Sequence, residues 1–227
     1  MKYKYLLFDA DNTLLDFDEN ERVSIIKTFK HVGIPCYECT LSMYHEININ
    51  YWNMLAEKKI TKEELLYKRF DTLFEQVGIK ADSKEVEKYY RVQLGLGFQV
   101  IDGALDIYSK LKDRYKLYII TNGVAKTQHA RLEASGFESM SDGIFISDEI
   151  GYDKPDVRFF EYVASKIEGF DRKEALVIGD SLSSDIQGGI NFGIDTCWVN
   201  IYKKANLTAI KPNYEITNIK ELEKLLP

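Results

Sequence analysis

The chain has 227 residues, 45% of them hydrophobic and 29% charged. That supplies a sizeable core in one or two domains and excludes an intrinsically disordered chain. A net charge of −6 excludes the Lys/Arg excess on which non-specific nucleic-acid binding rests, so an anionic small molecule would need a positive site built locally. No apolar run reaches the roughly 18 residues of a membrane helix. The opening Met1-Lys2-Tyr3-Lys4-Tyr5 enters an apolar strand with no small-residue cleavage site. Cys36, Cys39 and Cys197 are too few for a disulfide framework. These features predict a cytoplasmic protein with neither nucleic acid nor membrane as partner.

The first apolar run, Tyr5-Leu6-Leu7-Phe8, ends in Asp9. Beyond it the texture changes. Over residues 62–77, Leu65, Leu66, Arg69, Phe70, Leu73, Phe74 and Val77 recur at helical spacing and give one apolar face. Residues 43–57 and 83–94 also read as helices, and no strand pattern interrupts them. The stretch is flanked by Asp16-Phe17-Asp18 and Gly95-Leu96-Gly97, which read either as hinges or as ordinary helix ends. Short continuous apolar runs then return: Leu117–Ile120 before Thr121-Asn122-Gly123, Gly143–Ile146 before Ser147-Asp148, Ala175–Ile178 before Gly179-Asp180, and Thr196–Val199. Runs of this length between helical stretches predict a parallel sheet covered on both faces. The predicted fold class is therefore α/β: a Rossmann-like three-layer core over residues 1–17 and 98–227, with a helical domain over residues 18–97 inserted into it.

In open parallel sheets, ligands bind beyond the carboxyl ends of the strands. The residues there are Asp9 and Asp11, Thr121 and Asn122, and Asp180 followed by Asp185, with Lys154 as a nearby cation. A single Asp after a strand commonly caps the next helix. Carboxylates converging on one sheet edge must instead hold protons or bind a cation, and an oxygen-only set without Cys or His favours a hard ion such as Mg²⁺. Such a site suits phosphoryl transfer. One Asp can attack phosphorus, a second carboxyl can move the proton of the leaving oxygen, and a Thr hydroxyl, backbone N–H groups and a Lys can hold the phosphoryl oxygens.

Asp9-Ala10-Asp11-Asn12-Thr13-Leu14 resembles the first motif of the haloacid dehalogenase superfamily. Thr121-Asn122-Gly123 is similar to its second motif, Lys154-Pro155 to its third, and Gly179-Asp180-Ser181-Leu182-Ser183-Ser184-Asp185 to its fourth. The motifs stand in the family's order, and residues 18–97 match its helical cap, which implies a lid that closes to exclude bulk water. The resemblance implies Asp9 as nucleophile and metal ligand. It implies Asp11 as general acid/base whose backbone carbonyl also touches the metal, Thr121, Asn122 (through its N–H) and Lys154 as phosphate-binding, Asp180 as a further ligand of Mg²⁺, and Asp185 as one acting directly or through water. Dehalogenases of the superfamily lack a carboxyl at the position of Asp11, so the resemblance is to its phosphatases.

The longer strings Phe8–Asp18 and Ser184–Gly193 resemble the bacterial nucleoside 5′-monophosphatases. They imply a nucleotide substrate, with sugar phosphates as the alternative, and leave monomer or homodimer open. Tyr44, Tyr51, Trp52, Tyr67, Phe70 and Phe74 could stack on a base, although their helical spacing favours the core of the 18–97 domain itself.

Rival readings are weaker. Gly179-Asp180-Ser181-Leu182 spells the nucleophile motif of GDSL esterases, but His31, His45 and His129 all precede Ser181 and none follows to activate it. Cys36-Tyr37-Glu38-Cys39, expected in a loop, has no second pair at zinc spacing. Gly188-Gly189-Ile190-Asn191-Phe192-Gly193 lacks the strand-then-turn context of a dinucleotide site, and its glycines suit close helix–sheet packing. A non-catalytic binder on the same fold would have no use for Asp11.

Overall fold

Four helices account for most of residues 18–97: α1 (Phe17–Val32), α2 (Glu38–Ala56), α3 (Lys62–Val77) and α4 (Ser83–Gly95). The structure is a computed structural model and describes residues 2–226. Its contacts separate two compact units, residues 18–97 and the remainder. In the helical unit α3 follows from its sequence closely. Thr61 and Glu64 form a capping box at its start, and Gly78, at φ 69°, ends it in the left-handed region. Its apolar face is buried, and Tyr44, Phe70 and Phe74 join Phe29 and Tyr90 in an aromatic cluster. Those three rings therefore fill the unit's own core, whereas Tyr51, Trp52 and Tyr67 are only half-buried.

Arg69, on the same face, is buried beneath the rings of Phe70 and Tyr90 and pairs with Glu87 at 2.6 Å and Asn48 at 2.6 Å. The start of α2 lies five residues before the expected 43, so Cys39 sits in a helix rather than a loop. Glu38 in that first turn suits the helix dipole and is held by Arg22 at 2.9 Å. Of the flanking glycines, Gly97 has a steric reason: a Cβ there would overlap the Asn20 side chain, whose amide donates to the carbonyls of Leu94 and Gly97.

The other unit is built on six strands: β1 (Tyr5–Asp9), β2 (Lys116–Thr121), β3 (Gly143–Ile146), β4 (Ala175–Gly179), β5 (Asp195–Val199) and β6 (Tyr214–Ile216). All pair in parallel, in the order β3-β2-β1-β4-β5-β6. The strand order reverses beside β1, which makes that end of the sheet the topological switch point. Alternate side chains enter two separate apolar layers. Leu6, Phe8, Ile119 and Ile178 face one way, with residues of α5 (Ala104–Lys112), α6 (Ala125–Ser135), α7 (Phe137–Met140) and α11 (Leu222–Leu225). Tyr5, Leu7, Ile120 and Val177 face the other, with α9 (Val157–Lys166) and α10 (Gln187–Phe192). Each such buried side chain contributes about 1.5–3 kcal/mol, so continuous apolarity along these strands is what two covered faces require. The short helix α8 (Ser147–Ile150) follows β3. The sequence reading missed β6: three residues with an exposed Glu at the centre carry no strand signal, and only pairing with β5 makes them one.

Among the described residues, no helix is long and apolar enough to cross a membrane. The glycines of α10 serve packing. A Cβ at Gly188 would come within 2.5 Å of the Phe160 ring, and one at Gly189 within 2.6 Å of Thr196 on β5. Gly189→Ala should therefore cost about 1–3 kcal/mol through overpacking despite the better helix propensity of Ala. Urea denaturation measures this, and an unchanged midpoint would contradict the close approach.

Candidate active site

Because β1, β2 and β4 run parallel side by side, their carboxyl ends deliver Asp9, Thr121 and the Gly179-Asp180 turn to one edge. Lys154, buried on the segment before α9, reaches between them. Its ammonium donates to Asp9 Oδ1 at 2.6 Å, to Asp185 Oδ1 at 2.6 Å and to the Ile120 carbonyl at 2.8 Å. All three of its N–H donors are thus engaged. Burial alone would lower the pKa of this ammonium, but Asp185 and Asp9 outweigh burial and raise it. The two carboxylates thus favour its charged form.

Asp185 comes from a π-helical turn, Leu182–Ile186, and its Oδ2 accepts from Ser181 N at 3.1 Å. Gly179 makes room for it: a Cβ there would collide with the Asp185 carboxylate. Asp180 is anchored through its carbonyl, which accepts from the Trp198 indole at 2.8 Å. One carboxylate oxygen from each of Asp9, Asp180 and Asp185 lies within 4.8 Å of the others.

Three carboxylates face a single ammonium, and two of them, Asp9 and Asp180, are raised above the ordinary carboxylate range. Burial pushes Asp9 up to about 8, with Lys154 opposing and Asp185 and Asp11 adding to the rise. Burial also raises Asp180 well above the ordinary carboxylate range, reinforced by Asp9 and Asp185. An uncompensated all-oxygen cluster fits a hard divalent cation, and Asp9, Asp180 and Asp185 are the side chains able to hold one. The side chain of Asp11 is outside this group. It points to α6, where Arg131 Nη1 donates to Oδ1 at 2.5 Å and Gln128 Nε2 to Oδ2 at 3.0 Å.

The remaining sequence-derived residues also gather here. Thr121 Oγ1 accepts from Gln128 Nε2 at 2.8 Å and from Gly123 N at 3.1 Å, which leaves its own proton to be donated. Asn122 does something its motif did not reveal. Its side chain clamps Lys154, donating to the Lys154 carbonyl at 2.9 Å and accepting from the Lys154 N–H at 2.8 Å. Ser181 is a structural cap, its Oγ accepting from Ser184 N at 3.2 Å, and His129 pairs instead with Glu149 at 3.0 Å. Gln128 and Arg131 were missed by sequence reasoning. Their three-residue spacing puts them on one face of the helix that follows Thr121-Asn122-Gly123, but nothing local directs that face to Asp11.

Residues 3–193 match the haloacid dehalogenase-like hydrolase family. The chain belongs to that family. It is 40% identical over 223 residues to the pyrimidine 5′-nucleotidase PynA of Streptococcus pneumoniae, covering 98% of this chain and 94% of PynA. It is 30% identical over 226 residues to the pyrimidine 5′-nucleotidase YjjG of Escherichia coli, covering 100% and 99%. The magnesium-bound crystal structure of YfnB from Bacillus subtilis superimposes with a TM-score of 0.96 at 40% identity, over 100% of this chain and 99% of that one. The protein is a phosphatase of the haloacid dehalogenase-like hydrolases, built on their α/β fold.

The acidic cluster generates a prediction independent of turnover. Saturating Mg²⁺ should stabilise the protein by about 2–3 kcal/mol, roughly 5–10 °C in Tm for a chain of this size, and the gain should vanish in Asp180→Asn and Asp185→Asn. The pH dependence has a defined sign. A carboxyl whose folded pKa is raised contributes stability below its unfolded value, and loses it as pH rises toward about 8 for Asp9. The ion replaces the proton, so the Mg²⁺-induced rise in Tm should be larger at pH 8 than at pH 5. Equal gains at both pH values, or in all variants, would sink this assignment.

Proposed function

We propose that this phosphatase hydrolyses nucleoside 5′-monophosphates through a phosphoryl group carried on Asp9. The observation that carries the reading is the pairing of two carboxylates two residues apart in different environments. Asp9 is buried against Lys154, in the acidic cluster, while Asp11 is held apart by Arg131 and Gln128 and keeps 27% of its side chain exposed. In this reading an Asp9 oxygen attacks phosphorus and the bond to the ester oxygen breaks. Asp11 supplies the proton that oxygen needs as it leaves. Asp11 then takes a proton from water as that water attacks phosphorus, releasing phosphate and restoring both carboxyl groups.

Lys154 holds positive charge beside the attacking oxygen, and the spare proton of Thr121 together with the N–H of Asn122 serves the phosphoryl oxygens. A Mg²⁺ ion held by Asp9, Asp180, Asp185 and the Asp11 backbone carbonyl would supply charge neutralisation for a phosphate dianion. A nucleotide substrate is supported by the whole-length likeness to PynA and YjjG, both named pyrimidine 5′-nucleotidases.

Asp9→Asn should lower kcat by more than about a thousandfold, and Asp11→Asn by about 10²–10⁴-fold on nucleotides. Acid-quenched wild-type enzyme should carry phosphate on the peptide containing Asp9. In a panel of phosphate monoesters assayed with Mg²⁺, nucleoside 5′-monophosphates should give the highest kcat/KM. Uniform activity on sugar phosphates with nucleotides ignored would overturn the substrate, and undiminished turnover by Asp9→Asn would overturn the mechanism.

A further inference from the structure

We propose that Gln128 and Arg131 are positioning residues for the proton-transfer carboxylate, locking Asp11 in place and tying it to the Thr121 hydroxyl. The inference rests on the catalytic reading of Asp9 and Asp11 and deepens it. Its ground is a closed ring of hydrogen bonds. Arg131 Nη1 donates to Asp11 Oδ1 at 2.5 Å and to Gln128 Oε1 at 3.0 Å. Gln128 Nε2 donates to Asp11 Oδ2 at 3.0 Å and to Thr121 Oγ1 at 2.8 Å. Each carboxylate oxygen is thereby held by a different donor, which fixes the otherwise soft rotation of the Asp11 carboxyl plane.

The surroundings are built for this ring. Arg131 and Gln128 are almost completely buried and stand three apart on α6, on one helix face. A Cβ at position 123 would come within 2.5 Å of Gln128 Cδ, so Gly123 is what lets the glutamine lie against Thr121. The Phe17 ring lies 5.6 Å from the guanidinium. Of the Arg131 guanidinium, Nη1 is the nitrogen that reaches Asp11 and Gln128. Both of its protons go to the ring around Asp11.

Proton transfer demands the carboxyl within hydrogen-bond reach in both half-reactions, and a displacement of about 1 Å can cost a hundredfold in rate. The lock should matter most where the leaving oxygen must be protonated, and least for p-nitrophenyl phosphate, whose leaving group departs as a stable anion.

The test uses the full-length enzyme with Mg²⁺ and compares Arg131→Met, Gln128→Leu and Arg131→Lys with wild type, Asp9→Asn and Asp11→Asn. For a nucleoside 5′-monophosphate, Arg131→Met should lower kcat about tenfold to a hundredfold, with KM changed by less than about threefold, the pattern of a group acting in the transition state. Single-turnover release of p-nitrophenolate should stay within about threefold of wild type, because that step does not need the acid. Arg131→Lys, which retains one donor, should recover part of the loss. Arg131→Met combined with Asp11→Asn should be no slower than Asp11→Asn alone, since the two act through one carboxyl. If Arg131→Met does not fold, Gln128→Leu carries the kcat and single-turnover comparisons at saturating substrate, and its lost bond to Thr121 should appear in KM for both substrates. Equal losses on both substrates and in single turnover, or additive losses in the double variant, would overturn the positioning role. Full nucleotide turnover by Asp9→Asn and Asp11→Asn would show instead that the catalytic reading beneath it had failed.

Discussion

The ammonium of Lys154, buried between Asp9 and Asp185, is the contact on which the rest of the site depends. Taking a carboxylate out of water costs several kcal/mol, and a second one beside it costs more, unless a cation is fixed in place. One lysine leaves a deficit of positive charge among Asp9, Asp180 and Asp185, and the carboxylate neighbours add to burial, the larger effect, in raising Asp9 and Asp180. That deficit leaves a packed sheet edge with three carboxylates able to hold a cation. It also explains why so much of the neighbouring chain is committed to holding one lysine: Asn122 grips its backbone from both sides, and the Ile120 carbonyl takes its third proton.

The parallel sheet provides the geometry that makes such crowding possible. Adjacent parallel strands end at the same edge, so residues far apart in sequence meet there without long loops. Close approach then depends on what is missing as much as on what is present. Gly179 leaves space for the Asp185 carboxylate and Gly123 for the Gln128 amide. These two glycines are steric requirements of the site rather than loop punctuation.

The helical unit solves a different problem with similar means. Its core is aromatic, yet it contains Arg69, which is paired with Glu87 and Asn48 while Asn48 also donates to Glu21. Polar groups that link α1, α2, α3 and α4 in one buried chain favour a single packing of those helices, because any slip would leave a charge unpaired at a cost of about 3–5 kcal/mol.

Much was legible in the residues alone. Short apolar runs with polar ends fixed the α/β class, because a strand covered on both faces must be apolar throughout, and helical periodicity located α3 almost to the residue. The same order placed Asp9, Asp11, Thr121, Asn122 and Asp180, with Asp185 a turn later, beyond strand ends where chemistry gathers, and offered Lys154 as a nearby cation. What tertiary structure alone decided were the pairings across the fold: which carboxylates share Lys154, that Asn122 holds Lys154 through its side chain, that Asp11 is turned toward Arg131 and Gln128, and that residues 214–216 form an edge strand. The physical reason is one of range. Burial and periodicity are properties of a local stretch and leave a local pattern, whereas a hydrogen bond between residues 11 and 131 exists only after the intervening chain has folded and leaves no pattern in either stretch.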